Sequence, residues 1–271
     1  MFMTKVHHLN CATMAPTGGF GGRLAPARLV AHCLLIEGDR GLTLVDTGLG
    51  TADLAAPAKR LTLPFVKLTR PALDPAETAV SQVRGLGFDA ADVSDVVLTH
   101  LDLDHVGGIG DFPRASIHVY ADELAAAQHP AMAERGRYRQ VQWAHHPSWV
   151  EHASAGEDWF GFSAVTLLSD EVLMVPLTGH TRGHCGVAVR RPSGGWFLHA
   201  GDSYFFGGEK QTPPAYSTGL SLFQTLVQRD KAARLGNQER LRTLNTDHGD
   251  EVTMFCAHDA AEFDALADST D

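Results

Sequence analysis

Long hydrophobic runs are missing from this chain. None of its 271 residues falls in an uninterrupted apolar stretch of 18, the length a helix needs to cross a bilayer (about 18 or more), so no membrane span is expected. The opening residues, MFMTKVHHLNCATMAP, carry no apolar core of the kind a secretory signal requires. Cysteine is scarce. Cys11, Cys33, Cys185 and Cys256 are widely scattered, with no C-x-x-C pair, which fits free thiols in a reducing compartment better than a disulfide framework or a zinc ribbon. A cytoplasmic location is the expectation that follows. Basic charge is short as well: 22 Lys and Arg stand against 32 Asp and Glu, a formal net charge of −10. That balance argues against nucleic acid and anionic membranes as partners, because both need a basic face. No linker, low-complexity tract or short repeat divides the sequence, so residues 1–271 are expected to form one domain, at the upper end of what one core supports.

Histidine is abundant, with 15 copies. It is both the commonest metal ligand and the side chain that titrates nearest neutrality. Short β-branched runs predict strands at residues 5–9, 29–36, 42–46, 95–99, Ser116–Tyr120, Val172–Pro176, 187–190, 196–200 and 252–257. Asp74-Pro75-Ala76-Glu77 reads as a helix start with a capping Asp, a first-turn Pro and a capping-box Glu; apolar residues follow at helical spacing up to the stop at Gly87. Ala121–Gln128 and residues 220–244 are the other expected helices. Sheets covered by helices are the architecture this order suggests. Two segments, 51–73 and 128–162, are too irregular for simple connections. The second holds Tyr138, Trp143, Trp149, Trp159 and Phe160, and reads either as a lid over a pocket or as a hydrophobic cluster beneath a loop.

The strongest feature is Thr99-His100-Leu101-Asp102-Leu103-Asp104-His105-Val106-Gly107-Gly108. It follows the apolar run Val96-Val97-Leu98, so four metal-capable side chains leave one strand end together. His100, Asp102 and Asp104 alternate and His105 breaks the alternation, which lets the four diverge toward two neighbouring ions. These residues resemble the metallo-β-lactamase superfamily, whose pattern here is usually His-x-His-x-Asp-His with Gly-Gly behind. Further landmarks fall in family order: Leu44-Val45-Asp46-Thr47-Gly48, Thr178-Gly179-His180-Thr181-Arg182-Gly183-His184, His199-Ala200-Gly201-Asp202, and Phe255-Cys256-Ala257-His258-Asp259. The resemblance runs from about residue 5 to residue 260.

That resemblance implies a four-layer αββα sandwich of two mixed sheets covered by helices. It further implies that His100, Asp102 and His180 hold a first metal, that Asp104, His105 and His258 hold a second, and that Asp202 bridges them. A hydroxide between the metals would be the nucleophile of a hydrolase, and two divalent ions, zinc by preference, would be the cofactors. Asp46 is expected to orient a ligand rather than to be one. His180 is preferred to His184, and His258, at the end of an apolar run, to His248.

Position 102 departs from the pattern, with Asp where the family usually has His. A ligating Asp102 offers a harder oxygen and shifts preference toward Mn or Fe. It also brings two divalent ions, three carboxylates and a hydroxide to about zero net charge, against +1 with His. Ligation by Asp102 is the expectation; the alternative is that its shorter side chain falls short and leaves the first site weak or empty. Tyr204, two residues past Asp202, is a candidate donor to a developing oxyanion. Size and motif spacing look like the stand-alone lactonase-type members, which resemble N-acyl homoserine lactonases. The expected substrate is therefore a small ester, above all a lactone, with Asp104 as ligand and proton shuttle and segment 128–162 walling an apolar pocket. The alternatives are an iron-dependent oxidoreductase of the same fold and a degenerate, non-catalytic metal-binding member. A homodimer is the one macromolecular partner left open.

Overall fold

In the computed structural model, which describes residues 5–19, 24–38, 41–153, 156–168 and 171–267, the apolar runs become two six-stranded mixed sheets. The first sheet contains β1 (Lys5–Asn10), β2 (His32–Gly38), β3 (Gly41–Val45), β4 (Val93–Val97), β5 (Ser116–Tyr120) and β6 (Ser148–His152), side by side in that order. Its first two pairings are antiparallel and the next three parallel. The second sheet contains β7 (Glu157–Trp159), β8 (Phe162–Thr166), β9 (Val172–Pro176), β10 (Cys185–Arg190), β11 (Trp196–His199) and β12 (Val252–Phe255), again in sequence order. Here only β11 and β12 run parallel. The first four residues and the last four, the ends of the expected 1–271 domain, lie outside the described residues.

Period-two alternation decides which layer each side chain enters. On β2, Leu34 and Ile36 turn inward and meet Val187 and Val189 of β10, with Phe197 and Phe255, in a core between the sheets. Cys33 and Leu35 turn outward, into a core that includes Val80 and Val83 of α4 (Ala79–Gly85) and Leu124 of α6 (Ala121–Gln128). Behind the second sheet, Leu173, Val175 and Leu198 pack with Leu241 and Leu244 of α8 (Lys231–Asp247). Three cores separate four layers, helix, sheet, sheet, helix, as the expected fold class requires.

Several local expectations are corrected. The helix expected from Asp74 is a 3₁₀ turn, Pro75–Glu77, followed by α4 with its own cap, Thr78. Glu77 serves another purpose: its carboxylate accepts from the backbone N–H and the hydroxyl of Thr13. The helix expected over 220–244 is two, α7 (Thr218–Val227) and α8. The break has a tertiary cause, because the N–H groups of Arg229 and Asp230 both donate to the carbonyl of Gly179, and the Asp230 side chain then caps α8. Segment 51–73 folds into α1 (Thr51–Ala55), α2 (Pro57–Arg60) and α3 (Leu63–Thr69). The chain closes with α9 (Ala260–Leu266).

Segment 128–162 contains β6 and β7, the edge strands of the two sheets. Its aromatics pack into the cores rather than over a pocket. Tyr138, Trp143 and Trp149 join the outer core of the first sheet, and Trp159, Phe160 and Phe162 that of the second. The lid reading therefore fails for the aromatic residues, whose large apolar area is already buried beneath the sheets.

Candidate metal centre

All the singled-out ligand candidates emerge at one rim of the sandwich. Asp46 follows β3, His100 to His105 follow β4, His180 lies between β9 and β10, Asp202 follows β11, and His258 follows β12. The loop after β4 is short because Asp102 stands at the N-terminus of α5 (Leu103–Val106), where the His105 N–H bonds to the Asp102 carbonyl. Gly107 and Gly108 then let this turn press against the backbone of Thr47–Gly50, where any Cβ would collide.

Two groups of side chains face each other. In the first, ligand atoms of His100, Asp102, His180 and Asp202 all lie within 4.8 Å of one another; in the second, those of Asp104, His105 and His258 do. Asp202 stands between them. Its Oδ2 is 3.3 Å from His180 Nε2 and 3.6 Å from His100 Nε2, while Oδ1 is 3.0 Å from His258 Nε2 and 3.4 Å from His105 Nε2. One carboxylate thus offers one oxygen to each group. Asp102 Oδ2 lies 3.0 Å from His180 Nε2 and 3.4 Å from His100 Nε2, so the shorter side chain does reach the first group.

The other ring nitrogens of His100, His105 and His258 are held from behind. His105 Nδ1 pairs with Asp46 Oδ2 at 2.8 Å, and Asp46 also accepts from the N–H and hydroxyl of Thr99. Asp46 keeps this posture with φ of 56°, a left-handed conformation uncommon outside Gly but tolerated by Asp. His258 Nδ1 donates to the carbonyl of Val30, and His100 Nδ1 lies 3.0 Å from Thr99 Oγ1. Each of these bonds sets the tautomer so that Nε2 points forward. His184 faces elsewhere: Nδ1 donates to Leu177, and Nε2 accepts from the Asp202 N–H at 2.8 Å. It steadies Asp202 from behind. His248 is far from the groups, on the surface beside Glu251, and His199 is buried against the carbonyl of His32.

The donor set fits divalent cations. His100 Nε2, His105 Nε2 and Asp202 Oδ1 are buried without a hydrogen-bond partner, a costly state unless something positive sits among them. Burial works to raise the pKa of Asp202, but His258, His105, His180 and His100 around it hold the carboxyl well below its usual range. Burial opposes protonation of His258, yet Asp202 and Asp104 push it up to about 9. His180 goes the other way, down to about 4, through burial and the nearby Arg137 guanidinium. Imidazole nitrogens mixed with carboxylate oxygens suit zinc, manganese or iron.

A cavity of about 520 Å³ opens onto the groups, with Asp102, Asp104, His180, Asp202 and His258 at its floor. Its walls are apolar: Phe65 and Leu68 of α3, Leu220 and Phe223 of α7, and Met14 and Leu29 from the early chain. Among its described residues, segment 128–162 contributes only Ala133, Gly136 and Arg137. Tyr204 is not brought to the site. Its ring is buried behind the second sheet and its hydroxyl points to Glu262, because Tyr204 takes the core direction after the turn while Phe205 faces the cavity.

Two residues at the site, Glu123 and Arg137, were missed by the sequence reading. Glu123, wholly buried, accepts from the N–H groups of Leu101 and Gly183 and from the Tyr138 hydroxyl, clamping the two ligand loops together. Arg137 has Nε 3.1 Å from Asp102 Oδ1 and donates to the carbonyls of His180 and Val227. An acidic residue on the buried face of a short helix hints at the first. The carboxylate at 102 hints at a counter-charge but does not say where in the chain it lies.

A family model for the metallo-beta-lactamase superfamily matches residues 27–247. A Mycobacterium tuberculosis protein named as a probable metallo-hydrolase is 42% identical over 259 residues, covering 94% of this chain and 80% of its own length. The N-acyl homoserine lactonase AttM of Agrobacterium fabrum is 35% identical over 125 residues, 45% of this chain and 46% of that protein. Among solved structures, an N-acyl homoserine lactone hydrolase with N-hexanoyl-L-homoserine at its catalytic metal centre aligns with a TM-score of 0.73 and 19% identity. The alignment covers 98% of this chain and 97% of that one, a likeness of fold.

Proposed function

This chain belongs to the metallo-beta-lactamase superfamily as one of its metallo-hydrolases, and from that premise we propose that its substrate is a small, partly apolar ester, above all a lactone. The observation that carries this reading is the joining of the two ligand groups to an apolar cavity of about 520 Å³, the size and lining of a small-molecule site. His100, Asp102 and His180 would hold one ion and Asp104, His105 and His258 the other, with Asp202 shared. Zinc is the first choice, and the oxygen of Asp102 admits manganese or iron. When bound, such ions lower the pKa of a water to about 7 and polarise a carbonyl.

The chain's own residues do the rest. Phe65, Leu68, Leu220 and Phe223 seat the apolar side of the ester and keep bulk water away from the carbonyl. Asp104, at the cavity floor with Oδ2 3.7 Å from His258 Nε2, is placed to take up a proton and return it to the leaving oxygen. Asp202, Asp46 and His184 fix the frame against which the ester must align. The small-molecule substrate is the partner this reading needs; nucleic acid and membrane play no part in it, and a second copy of the chain is optional.

The test is a panel of N-acyl lactones, simple esters, a β-lactam and a phosphodiester, followed by acid release on protein loaded with zinc, manganese or iron. Preferential lactone opening, improving with acyl length until the cavity is filled, is the expected result. Oxygen uptake by the iron form without hydrolysis would point to an oxidoreductase instead, and no turnover of any substrate with any metal would sink the hydrolase reading.

A further inference from the structure

Asp102 stands past the end of β4, at the N-terminus of α5, and its carboxylate lies between two sets of neighbours. Its Oδ2 faces His100 and His180, and its Oδ1 faces the Nε of Arg137 at 3.1 Å. Arg137 is nearly buried, with 10% of its side chain exposed. It is fixed at two further points, since Nη1 donates to the carbonyl of His180 at 3.0 Å and Nη2 to the carbonyl of Val227 at 2.7 Å. The turn that carries it is anchored independently: Tyr138 donates to Glu123, and Glu134 receives both ends of the Arg182 fork. A guanidinium held this way is a fixed positive charge, always protonated.

Two divalent ions, the carboxylates at 102, 104 and 202 and a hydroxide come to about zero charge, one unit less than with His at 102. Arg137 supplies the missing unit on the far side of Asp102. We propose that Arg137 is the positioning residue of the first metal site: it aims Asp102 Oδ2 at His100 and His180, and it restores the positive charge that a carboxylate at 102 removes. Asp102 and Arg137 act as one unit in place of a single imidazole. This rests on the two-ion reading above and deepens it for one site. It also explains why a carboxylate at 102 does not by itself mark a degenerate centre.

The experiment is titration of the metal-free protein with Zn²⁺ against a chromophoric chelator, with ions counted per chain, for wild type, Arg137→Met, Asp102→His and the double variant. Loss of an outer partner typically weakens a site about 10–100-fold. Arg137→Met is expected to weaken the ion of the His100–Asp102–His180 site, the weaker and so later-bound of the two, by at least about tenfold while leaving the tighter ion within experimental error. Asp102→His alone is expected to bind weakly, because its imidazole would face the guanidinium. The double variant should recover affinity to near that of wild type. Unchanged affinities in Arg137→Met would overturn the proposal, and so would a double variant binding no tighter than Asp102→His. A purely structural Arg137 gives that second result, since a new imidazole could not mend the lost loop contacts. If Arg137→Met does not fold, Arg137→Lys compared with wild type decides: it keeps the charge but loses the fork that aims Asp102, so one ion is expected to bind about tenfold more weakly, and unchanged affinities would overturn the proposal. A wild-type chain that takes up no zinc would sink the two-ion reading itself, a different outcome from any of these.

Discussion

The two halves of the metal centre use the same residue types but are supported by different parts of the molecule. The second group, Asp104, His105 and His258, is aimed by the sheet ends: Asp46 after β3 holds His105, and the Val30 carbonyl just before β2 holds His258. The first group depends on loops. Asp102 is aimed by Arg137, and the His100–Asp102 and His180–His184 turns are joined through Glu123. Strand ends packed between two sheets open only with the whole fold, whereas loop contacts open locally at lower cost. The first site should therefore be the more labile of the two, losing its ion first to a chelator.

Breaking the bridge removes the comparison altogether, and it is the largest effect expected. Asp202→Ala deprives both groups of an oxygen, so metal content should fall from two ions per chain toward none and hydrolysis by about 10³-fold or more, read by elemental analysis and initial rates. Asp46→Asn tests the sheet-supported half. Loss of the carboxylate behind His105 should weaken the second ion about 10–100-fold with the first little changed in a two-site titration.

Glu123→Gln tests the loop-supported half. An amide placed opposite the N–H groups of Leu101 and Gly183 leaves one buried donor unmet, so urea unfolding should show a loss of about 1–3 kcal/mol. Chelator extraction of the first ion should also speed up. The smallest effect is a pH dependence common to both halves. Burial, with His199 and His8 beside it, holds the pKa of His32 well below 6.5. In the unfolded chain His32 takes up a proton near pH 6.5 and in the fold it does not, so its contribution is flat above that pH. Below it, stability should fall by at most about 1.4 kcal/mol per pH unit. Urea midpoints of the zinc-loaded protein between pH 7.5 and 5.5 measure the slope, and a flat profile would contradict the neutral, buried state of His32.

Legibility followed the same division. The strands flanking the centre were readable because both of their faces are buried and their apolar runs are dense: Ser116–Tyr120 and Val172–Pro176 coincide with the expectation. β6, β7 and β8 were not, because two of them are edges with polar residues on one face, and Ser148–His152 has no apolar run. The cluster His100, Asp102, Asp104 and His105 stood out because it leaves one strand end together, and the resemblance to the superfamily motifs added His180 and His258, each at a strand end or a glycine turn. Tyr204 misled for the complementary reason. Two residues from Asp202 in sequence, it sits on the opposite side of the turn, and its hydroxyl answers to Glu262, 58 residues away.

The sequence by itself determined which side chains are able to hold metal here, since strand ends and short turns present consecutive residues together whatever surrounds them. The tertiary structure decided which atom each one presents. His105 turns Nε2 forward because Asp46, 59 residues earlier, takes its Nδ1, and His258 does so because of a carbonyl 228 residues away. It decided the fate of the unusual Asp102 in the same way, through Arg137. A tautomer or a carboxylate rotamer is fixed by whatever polar or charged group lies behind it, and in this fold those contacts cross between loops and strands that no local pattern connects.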